Sequence, residues 1–222
     1  MFQGRKPEKK RHWGFRQNKP NKTRALLSKR ILPEEAKKFL AAGPQTAITP
    51  TIQGYANRFG GRDAKTVEAI LKDISTFSRK HYAPQTIDSA YAKRTAEEIT
   101  RSRSVVIFGE RVGGCLDYTV ALCAALRAKG IPAKFIRFRT HALVHFFLDG
   151  KWFEADPMAV LALRVAAKHA LHISTVPVPI KLVDEERLKQ FEEAKAQHAY
   201  AEGLDAWDIG IKSFADFTKY EH

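Results

Sequence analysis

The sequence has no long hydrophobic run. No stretch approaches the roughly 18–20 consecutive apolar residues that a membrane-spanning helix needs. The basic N-terminus is followed only by Ala25-Leu26-Leu27, which is too short for the hydrophobic core of a signal peptide. We therefore expect a cytoplasmic protein that does not associate with membranes.

Cysteine is scarce, which argues against both disulfides and zinc sites. Cys115 and Cys123 lie eight residues apart in one predicted helix, so their Cα atoms would be ~12 Å apart. A disulfide needs them within roughly 7 Å. The sequence has no CxxC pair and no Cys/His spacing typical of zinc ligands. We therefore expect both cysteines to be reduced thiols with separate roles.

Acidic residues are nearly missing from the first thirty positions. Residues 1–30 contain eleven Lys/Arg and one acid, Glu8, and so carry +10 of the formal net charge of +14. Residues 1–24 show no apolar period, which predicts a basic flexible tail that could contact nucleic acid or another anionic partner. Trp13 and Phe15 would suit stacking on bases. The alternatives are a solvated solubility tail, or aromatic side chains that pin this segment to its own domain.

Apolar periodicity after the tail predicts several helices. A short helix begins near Pro33 and closes at Gly43, and longer ones cover residues 64–80 and 86–101. The inner side of the helix at 86–101 would carry Ile87, Ala90, Tyr91 and Ile99. The apolar run at 105–108 is either a buried strand or part of a loop. Nothing repeats internally.

Residues 115–129 form the most informative predicted helix. The segment is apolar almost all round until Arg127, so it must be buried on most sides. Gly130 ends the helix and Pro132 prevents its continuation.

The rest of the chain predicts an antiparallel sheet followed by further helices. Asp149-Gly150 is a strong hairpin signal between two strands. The predicted segments are strands at 134–139, 141–148 and 151–155, a helix near 158–170, an extended stretch at 176–180 and a helix near 184–202. A buried helix packed on an antiparallel sheet, with extra N- and C-terminal helices, is an α+β architecture.

Cys115 occupies a position that suits a nucleophile. It follows two glycines at the first turn of the buried helix, where unpaired N–H groups and the positive end of the helix dipole favour a thiolate. The same N–H groups could hold a developing oxyanion. A core cysteine is the alternative. Cys123, in mid-helix among apolar neighbours, behaves as a small apolar side chain.

The hairpin brings histidines and carboxylates together. A two-residue turn pairs Leu148 with Lys151, Phe147 with Trp152, His145 with Glu154, and Leu143 with Asp156. The side chains that alternate onto one face are those of His141, Leu143, His145, Trp152, Glu154 and Asp156. Asp156 is then a diagonal neighbour of both His141 and His145. This geometry does not determine whether His141 or His145 is the base. A structural pair with Glu154 would explain why His145 is present.

Two segments carry a family resemblance. GCLDY at 114–118, continuing to GIPAK at 130–134, and HALVHFFLDGKWFEADP at 141–157 are similar to the cysteine and histidine blocks of the transglutaminase-like superfamily. The resemblance covers about residues 64–157. Leu143, where the family usually has an aromatic residue, and the pair His145-Phe146 depart from its pattern.

The resemblance implies a papain-like fold and a catalytic triad. It assigns Cys115 as the nucleophile, His141 as the base and Asp156 as the group that orients the imidazole, and it makes a base role for His145 unlikely. Asp117 is then a structural or dipole-compensating residue rather than a catalytic one.

The implied reaction passes through a thioester. Attack on an amide or acyl carbonyl is followed by transfer to water or to an amine, and by analogy with the family we expect hydrolysis of a peptide or protein amide rather than cross-linking. No metal or organic cofactor is needed. The backbone N–H of Cys115 would be one oxyanion donor, with Tyr82 and Gln85 as candidates for the second.

The predicted organisation has three parts: a basic tail at 1–24, a transglutaminase-like domain at 25–172 and a C-terminal helical extension at 173–222.

A different class of function remains open. The domain could be a non-catalytic scaffold whose basic tail binds nucleic acid or an acidic partner.

Overall fold

The computed structural model describes residues 32–109, 112–169 and 180–219. The predicted tail at 1–24 and most of the extended stretch at 176–180 lie outside these residues. In the described part of the chain, no helix is long and apolar enough to cross a membrane.

The described chain contains both α-helices and β-strands. The α-helices are α1 (Glu34–Lys37), α2 (Pro50–Asn57), α3 (Ala64–Ile74), α4 (Ile87–Ala90), α5 (Ala96–Ser102), α6 (Cys115–Ala128), α7 (Pro157–His169), α8 (Glu185–Ala196) and α9 (Phe214–Thr218). The strands are β1 (Ser78–Tyr82), β2 (Ser104–Phe108), β3 (Val112–Gly113), β4 (Ala133–Phe138), β5 (His141–Leu148), β6 (Lys151–Ala155), β7 (Ile180–Leu182) and β8 (Tyr200–Gly203). Short 3₁₀ turns cover Lys38–Leu40 and Pro84–Thr86.

The helix α6 forms the centre of the core, as its apolar composition predicts. Thirteen of its fourteen residues are buried. It contacts β4 and β5 on one side and α2, α3 and α5 on another. Its C-terminal end is fixed by buried Arg127, whose guanidinium donates to the carbonyl oxygens of Phe39, Ala133 and Leu204. A helix enclosed in this way holds its first residue in a fixed position relative to the sheet.

A five-stranded antiparallel sheet covers one side of α6, in the order β7-β6-β5-β4-β8. The predicted hairpin register is confirmed: Leu148 pairs with Lys151, and His145 pairs with Glu154. The helix α8 contributes Phe191, whose ring lies 5.0 Å from that of His145. The predicted α+β architecture, a central helix packed on an antiparallel sheet, is therefore confirmed.

A second, three-stranded sheet leads into α6. Its order is β1-β2-β3, with β1 and β2 parallel and β2 and β3 antiparallel. The run at 105–108 lies within β2 and is fully buried, which resolves the alternative between strand and loop in favour of a strand. Because β3 pairs Gly113 with Ile107, the chain enters α6 directly beside β2.

The predicted helix at 64–80 is too long. The helix α3 ends at Ile74, and residues 78–82 form strand β1 instead. The hydroxyl of Ser75 donates to the carbonyl of Lys72, and that of Thr76 donates to the carbonyl of Asp73. Hydroxyl groups that bond the preceding backbone in this way compete with helix continuation.

The predicted helix at 86–101 is two helices. The helix α4 ends at Ala90, and Ala92 adopts a positive φ of 58° that no helix contains. Thr95 and Glu98 then form a capping box that starts α5. The sequence analysis also missed α2, although Thr49 caps it and Pro50 occupies its first turn.

The C-terminal part of the chain contributes strands as well as helices. The strands β7 and β8 form the two edges of the five-stranded sheet, so a purely helical description of 173–222 is incomplete. The helix α8 ends at Ala196 rather than near 202, and His198 takes a positive φ of 57° before β8 begins. The two boundaries between the three proposed parts stay predictions.

Candidate active site

Two glycines allow Cys115 to sit at the very start of α6. Gly113 and Gly114 have φ values of 104° and 87°, which L side chains rarely adopt. A Cβ atom at Gly113 would lie 2.8 Å from the backbone carbonyl oxygen of Val106 in β2. The close approach of β2 to this turn therefore requires glycine. Cys115, 8% exposed, is the first helical residue, where the backbone N–H has no partner within the helix.

His141 interacts with a carboxylate and with the Cys115 thiol at the same time. It is the first residue of β5, and its Nε2 donates to Oδ2 of Asp156 at 2.9 Å. The Cys115 thiol is close enough to the same imidazole to raise its pKa. The three residues that the sequence nominates as a triad are thus brought together, with the histidine in the middle.

The Asp156 carboxylate is held from two sides. While Oδ2 accepts from His141, Oδ1 accepts the backbone N–H of Met158 at 2.9 Å in the first turn of α7. Proline at position 157 is suited to the first position of that helix. The start of α7 therefore fixes the orientation of the carboxylate, which in turn fixes the imidazole.

Opposing influences set the pKa of His141. Burial is the largest and lowers it, but the hydrogen bonds and charges of Asp156 and Cys115 outweigh burial and raise the pKa to about 10. An imidazolium is consequently favoured at neutral pH. A positive charge beside the sulfur is the environment that stabilises a thiolate.

His145 has a different environment from His141, although strict alternation would assign both to one face. It is 3% exposed, contacts Phe191 of α8, and its Nε2 lies 3.4 Å from Oε2 of Glu154. Burial lowers the pKa of His145, although Glu154 opposes this. Arg187 forms an ion pair with the same carboxylate at 2.8 Å. This is the structural His–Glu pair that the sequence predicts for His145 and Glu154.

Asp117 ties the first turn of α6 to β2. Its Oδ2 accepts from Nη1 of Arg94 at 2.9 Å and from the backbone N–H of Val106 at 3.0 Å. Burial raises the pKa of Asp117 to about 6, although Arg94 opposes this. The contacts are those of a structural residue, in agreement with the sequence analysis.

Cys123 has none of the features of Cys115. It is fully buried in the middle of α6, and burial raises the pKa of its thiol to about 12. Its contacts are those of a small apolar core residue, as its neighbours in the sequence suggest.

The predicted helix at 86–101 places Tyr91 on its inner side, but Tyr91 follows the last residue of α4. The positive φ at Ala92 that creates this geometry has no signal in the sequence. Tyr82 is 42% exposed on β1, and Gln85 is exposed in the following turn. Their role as oxyanion donors stays a prediction.

Metal ligands do not cluster in the described ranges. Among residues 32–109, 112–169 and 180–219, no group of three or more His, Cys, Asp or Glu side chains is arranged to hold a metal ion.

The comparisons with known proteins agree with the fold. Residues 53–157, which include all three triad candidates, match the family model of the transglutaminase-like superfamily. No curated protein sequence matches the chain. The structure resembles that of a protein from Cytophaga hutchinsonii that is proposed to be a cysteine protease, with a TM-score of 0.51 and 17% sequence identity.

The alignment with the Cytophaga protein covers 82% of this chain and 51% of the other, so this chain spans about half the length of that protein. At this identity the likeness concerns the fold alone. Together with the family model, it agrees with the central helix and antiparallel sheet described above. Residues 53–157 therefore resemble the transglutaminase-like superfamily, and the described part of the chain has a transglutaminase-like fold.

Proposed function

We propose that this chain is a thiol enzyme that acts on amide or acyl carbonyls through Cys115, His141 and Asp156. The observation that carries the proposal is the position of the His141 imidazole, which interacts with Asp156 and with the Cys115 thiol. A nucleophile, a base and an orienting group in this order are the parts that covalent acyl transfer requires.

The first half of the proposed reaction forms a thioester. The Cys115 sulfur bonds to the carbonyl carbon, and the carbonyl electron pair moves onto oxygen to give a tetrahedral oxyanion. The backbone N–H of Cys115, which has no partner within α6, donates a hydrogen bond to that oxygen. His141 gives its proton to the departing amine as the carbon–nitrogen bond breaks. Asp156 keeps the imidazole oriented throughout.

The second half transfers the acyl group to an acceptor. His141, now neutral, takes a proton from water, and the resulting hydroxide adds to the thioester. Collapse of this second oxyanion breaks the carbon–sulfur bond and releases a carboxylic acid, which restores the thiolate and the imidazolium. An amine acceptor would instead give a cross-link. We propose hydrolysis of a peptide or protein amide, by analogy with simple members of the family.

Selective alkylation tests the proposal without knowledge of the substrate. The protein is treated with iodoacetamide at pH 6–7, and labelling of each cysteine is followed by peptide mass spectrometry. Cys115 should react at least ~10-fold faster than Cys123, because only Cys115 lies beside an imidazolium. His141→Ala should slow labelling of Cys115 and leave Cys123 unchanged.

The comparison of wild type with His141→Ala is the decisive control, because Cys123 is fully buried and would label slowly in any case. Slow and equal labelling of the two cysteines would contradict the proposal. That result would favour the rival function, a non-catalytic scaffold whose basic tail binds nucleic acid or an acidic partner.

A further inference from the structure

The side chain of Arg137 is a charge buried near the end of β4. It is 2% exposed, and the residues beside it in the sheet are Ala142 of β5 and Ala201 of β8. Burying a guanidinium costs free energy, and well-packed apolar side chains of similar volume often stabilise a protein as much or more. A buried arginine therefore points to a task that an apolar residue cannot perform, such as holding one particular backbone geometry.

The guanidinium of Arg137 connects two turns. Its Nη1 donates to the carbonyl oxygen of Arg139 at 3.2 Å, and its Nη2 donates to that of His198 at 2.6 Å. The backbone N–H of Arg139 donates in addition to the carbonyl oxygen of Ala199 at 2.6 Å. Three hydrogen bonds thus join the turn between β4 and β5 to the segment between α8 and β8.

The turn between β4 and β5 depends on this support. Phe138 pairs with His141, so only Arg139 and Thr140 lie between the two strands. The turns that suit two-residue hairpins have a positive φ at their first central residue, which favours glycine, asparagine or aspartate. Arg139 has a φ of 54° and is none of these. Its conformation is therefore maintained by the hydrogen bonds to its carbonyl and N–H groups rather than by local preference.

The other side of this connection is the C-terminal end of α8. The backbone N–H of Ala199 donates to the carbonyl of Ala194 at 2.7 Å, and that of His198 donates to the carbonyl of Lys195 at 2.9 Å. These two bonds form a Schellman motif, in which His198 occupies the left-handed position with a φ of 57°. Carbonyl groups at a helix C-terminus carry partial negative charge, which favours a cation. The end of α8 is therefore a suitable anchor for the guanidinium of Arg137.

His141 directly follows the supported turn. It is the first residue of β5, so the conformation of Arg139 sets the backbone position from which the imidazole projects. The ring must reach the Asp156 carboxylate, which lies 2.9 Å from its Nε2. A misplacement of about 1 Å at a reacting group can cost on the order of 10²-fold in rate. The backbone of His141 consequently needs a fixed position in addition to the ring orientation that Asp156 provides.

We infer that Arg137 is a positioning residue of the proposed reaction. By holding the turn at Arg139 against the end of α8, it fixes where β5 begins and so where the His141 imidazole lies between Asp156 and Cys115. Arg137 itself touches neither the substrate nor the reacting atoms in this role. The inference rests on the proposed function.

Arg137→Met tests the inference, because methionine keeps an unbranched side chain and removes every donor. An NMR titration should show the pKa of His141 falling from about 10 towards 6.5, while His145 titrates as in the wild type. Loss of a nearby positive charge could by itself only raise the pKa of a histidine, so a fall is the signature of a displaced ring. With 4-nitrophenyl acetate as the probe, kcat should fall about 10–100-fold, with KM within about threefold of wild type.

Arg127→Met is the matched control. Arg127 is 3% exposed and also donates to backbone carbonyl groups, but it lies at the opposite end of α6 from Cys115. Both variants should have lower thermal midpoints than the wild type, and both are measured well below those midpoints. Only Arg137→Met should lower the pKa of His141.

Several results would overturn the inference. An unchanged or raised pKa of His141 in Arg137→Met, with kcat near that of the wild type, would leave Arg137 a purely structural role. An equal fall in Arg127→Met would mean that general loosening, and not the turn, displaces the ring. Should Arg137→Met fail to fold, Arg137→Lys replaces it, since lysine keeps the charge and loses the paired donors, and an unchanged His141 there would also overturn the inference.

The same measurements separate this inference from the proposed function. Slow alkylation of wild-type Cys115 that His141→Ala does not change would refute the enzyme proposal, whatever the titration of His141 shows. Fast alkylation of wild-type Cys115, together with an unaffected His141 in Arg137→Met, would refute only the role of Arg137.

Discussion

Replacing Asp156 by Asn should remove the main support for a protonated His141. Asparagine keeps an oxygen that can accept from the backbone N–H of Met158, so the start of α7 should persist while the negative charge is lost. Asp156 and Cys115 together raise the pKa of His141 from 6.5 to about 10 against the effect of burial. Without the carboxylate, we expect the pKa to fall towards or below 6.5.

The size of the effect follows from the two pKa values of His141, about 10 with the carboxylate and 6.5 as the ordinary value. At pH 8 a histidine with a pKa of about 10 is protonated in about 99% of molecules, whereas one with a pKa of 6.5 is protonated in about 3%. Asp156→Asn should therefore lower the imidazolium fraction about 30-fold at pH 8. Proton donation to a leaving amine should weaken accordingly.

An NMR titration of the His141 ring measures this pKa directly in both proteins. Wild-type His141 should titrate well above 6.5, and His145, whose pKa burial lowers, is the internal control. The folded-state pKa of His141 exceeds the unfolded one, so its stabilising contribution is complete below pH 6.5 and is lost as the pH rises through about 10. A wild-type His141 that titrates at or below 6.5, or an unchanged value in Asp156→Asn, would refute the reasoning.

Four further changes have defined outcomes. Gly114→Ala should cost about 1–3 kcal/mol in urea unfolding, because φ is 87° there, and a cost near zero would contradict the required glycine. Asp117→Ala should cost about 3–5 kcal/mol by leaving Arg94 without its buried carboxylate, and a loss under about 1 kcal/mol would contradict this. Wild-type stability should fall as the pH drops below 6.5, because His145 is buried in its neutral form, and His145→Gln should weaken that dependence. Deleting residues 1–24 should reduce both nucleic-acid affinity and its salt dependence, and unchanged binding would exclude the tail as a binding element.

The central helix and the hairpin were predictable because local patterns determine them. An apolar segment ending at Gly130 must be a buried helix, and Asp149-Gly150 sets the strand register without help from the rest of the chain. The family motifs added the choice of His141 over His145, which alternation alone could not make. The contact between His141 and Asp156 agrees with that choice.

The features that were missed depend on contacts between distant parts of the chain. The parallel pairing of β1 with β2 and the edge position of β8 join segments that carry no local signal for each other. The sequence predicts Tyr91 on the inner side of a helix, but Trp207 and Gln45 donate to the Ala92 carbonyl and hold the turn that places Tyr91 outside it. Tertiary contacts override local periodicity at these positions.

The central claim is that an acyl group becomes covalently attached to the Cys115 sulfur. Rapid quenching in acid during reaction with 4-nitrophenyl acetate, followed by peptide mass spectrometry, tests it most directly. The account predicts an acetyl thioester on Cys115 that is absent from Cys115→Ser and forms much more slowly in His141→Ala. Hydrolysis of the ester with no adduct on Cys115, or acetylation confined to surface lysines, would contradict it.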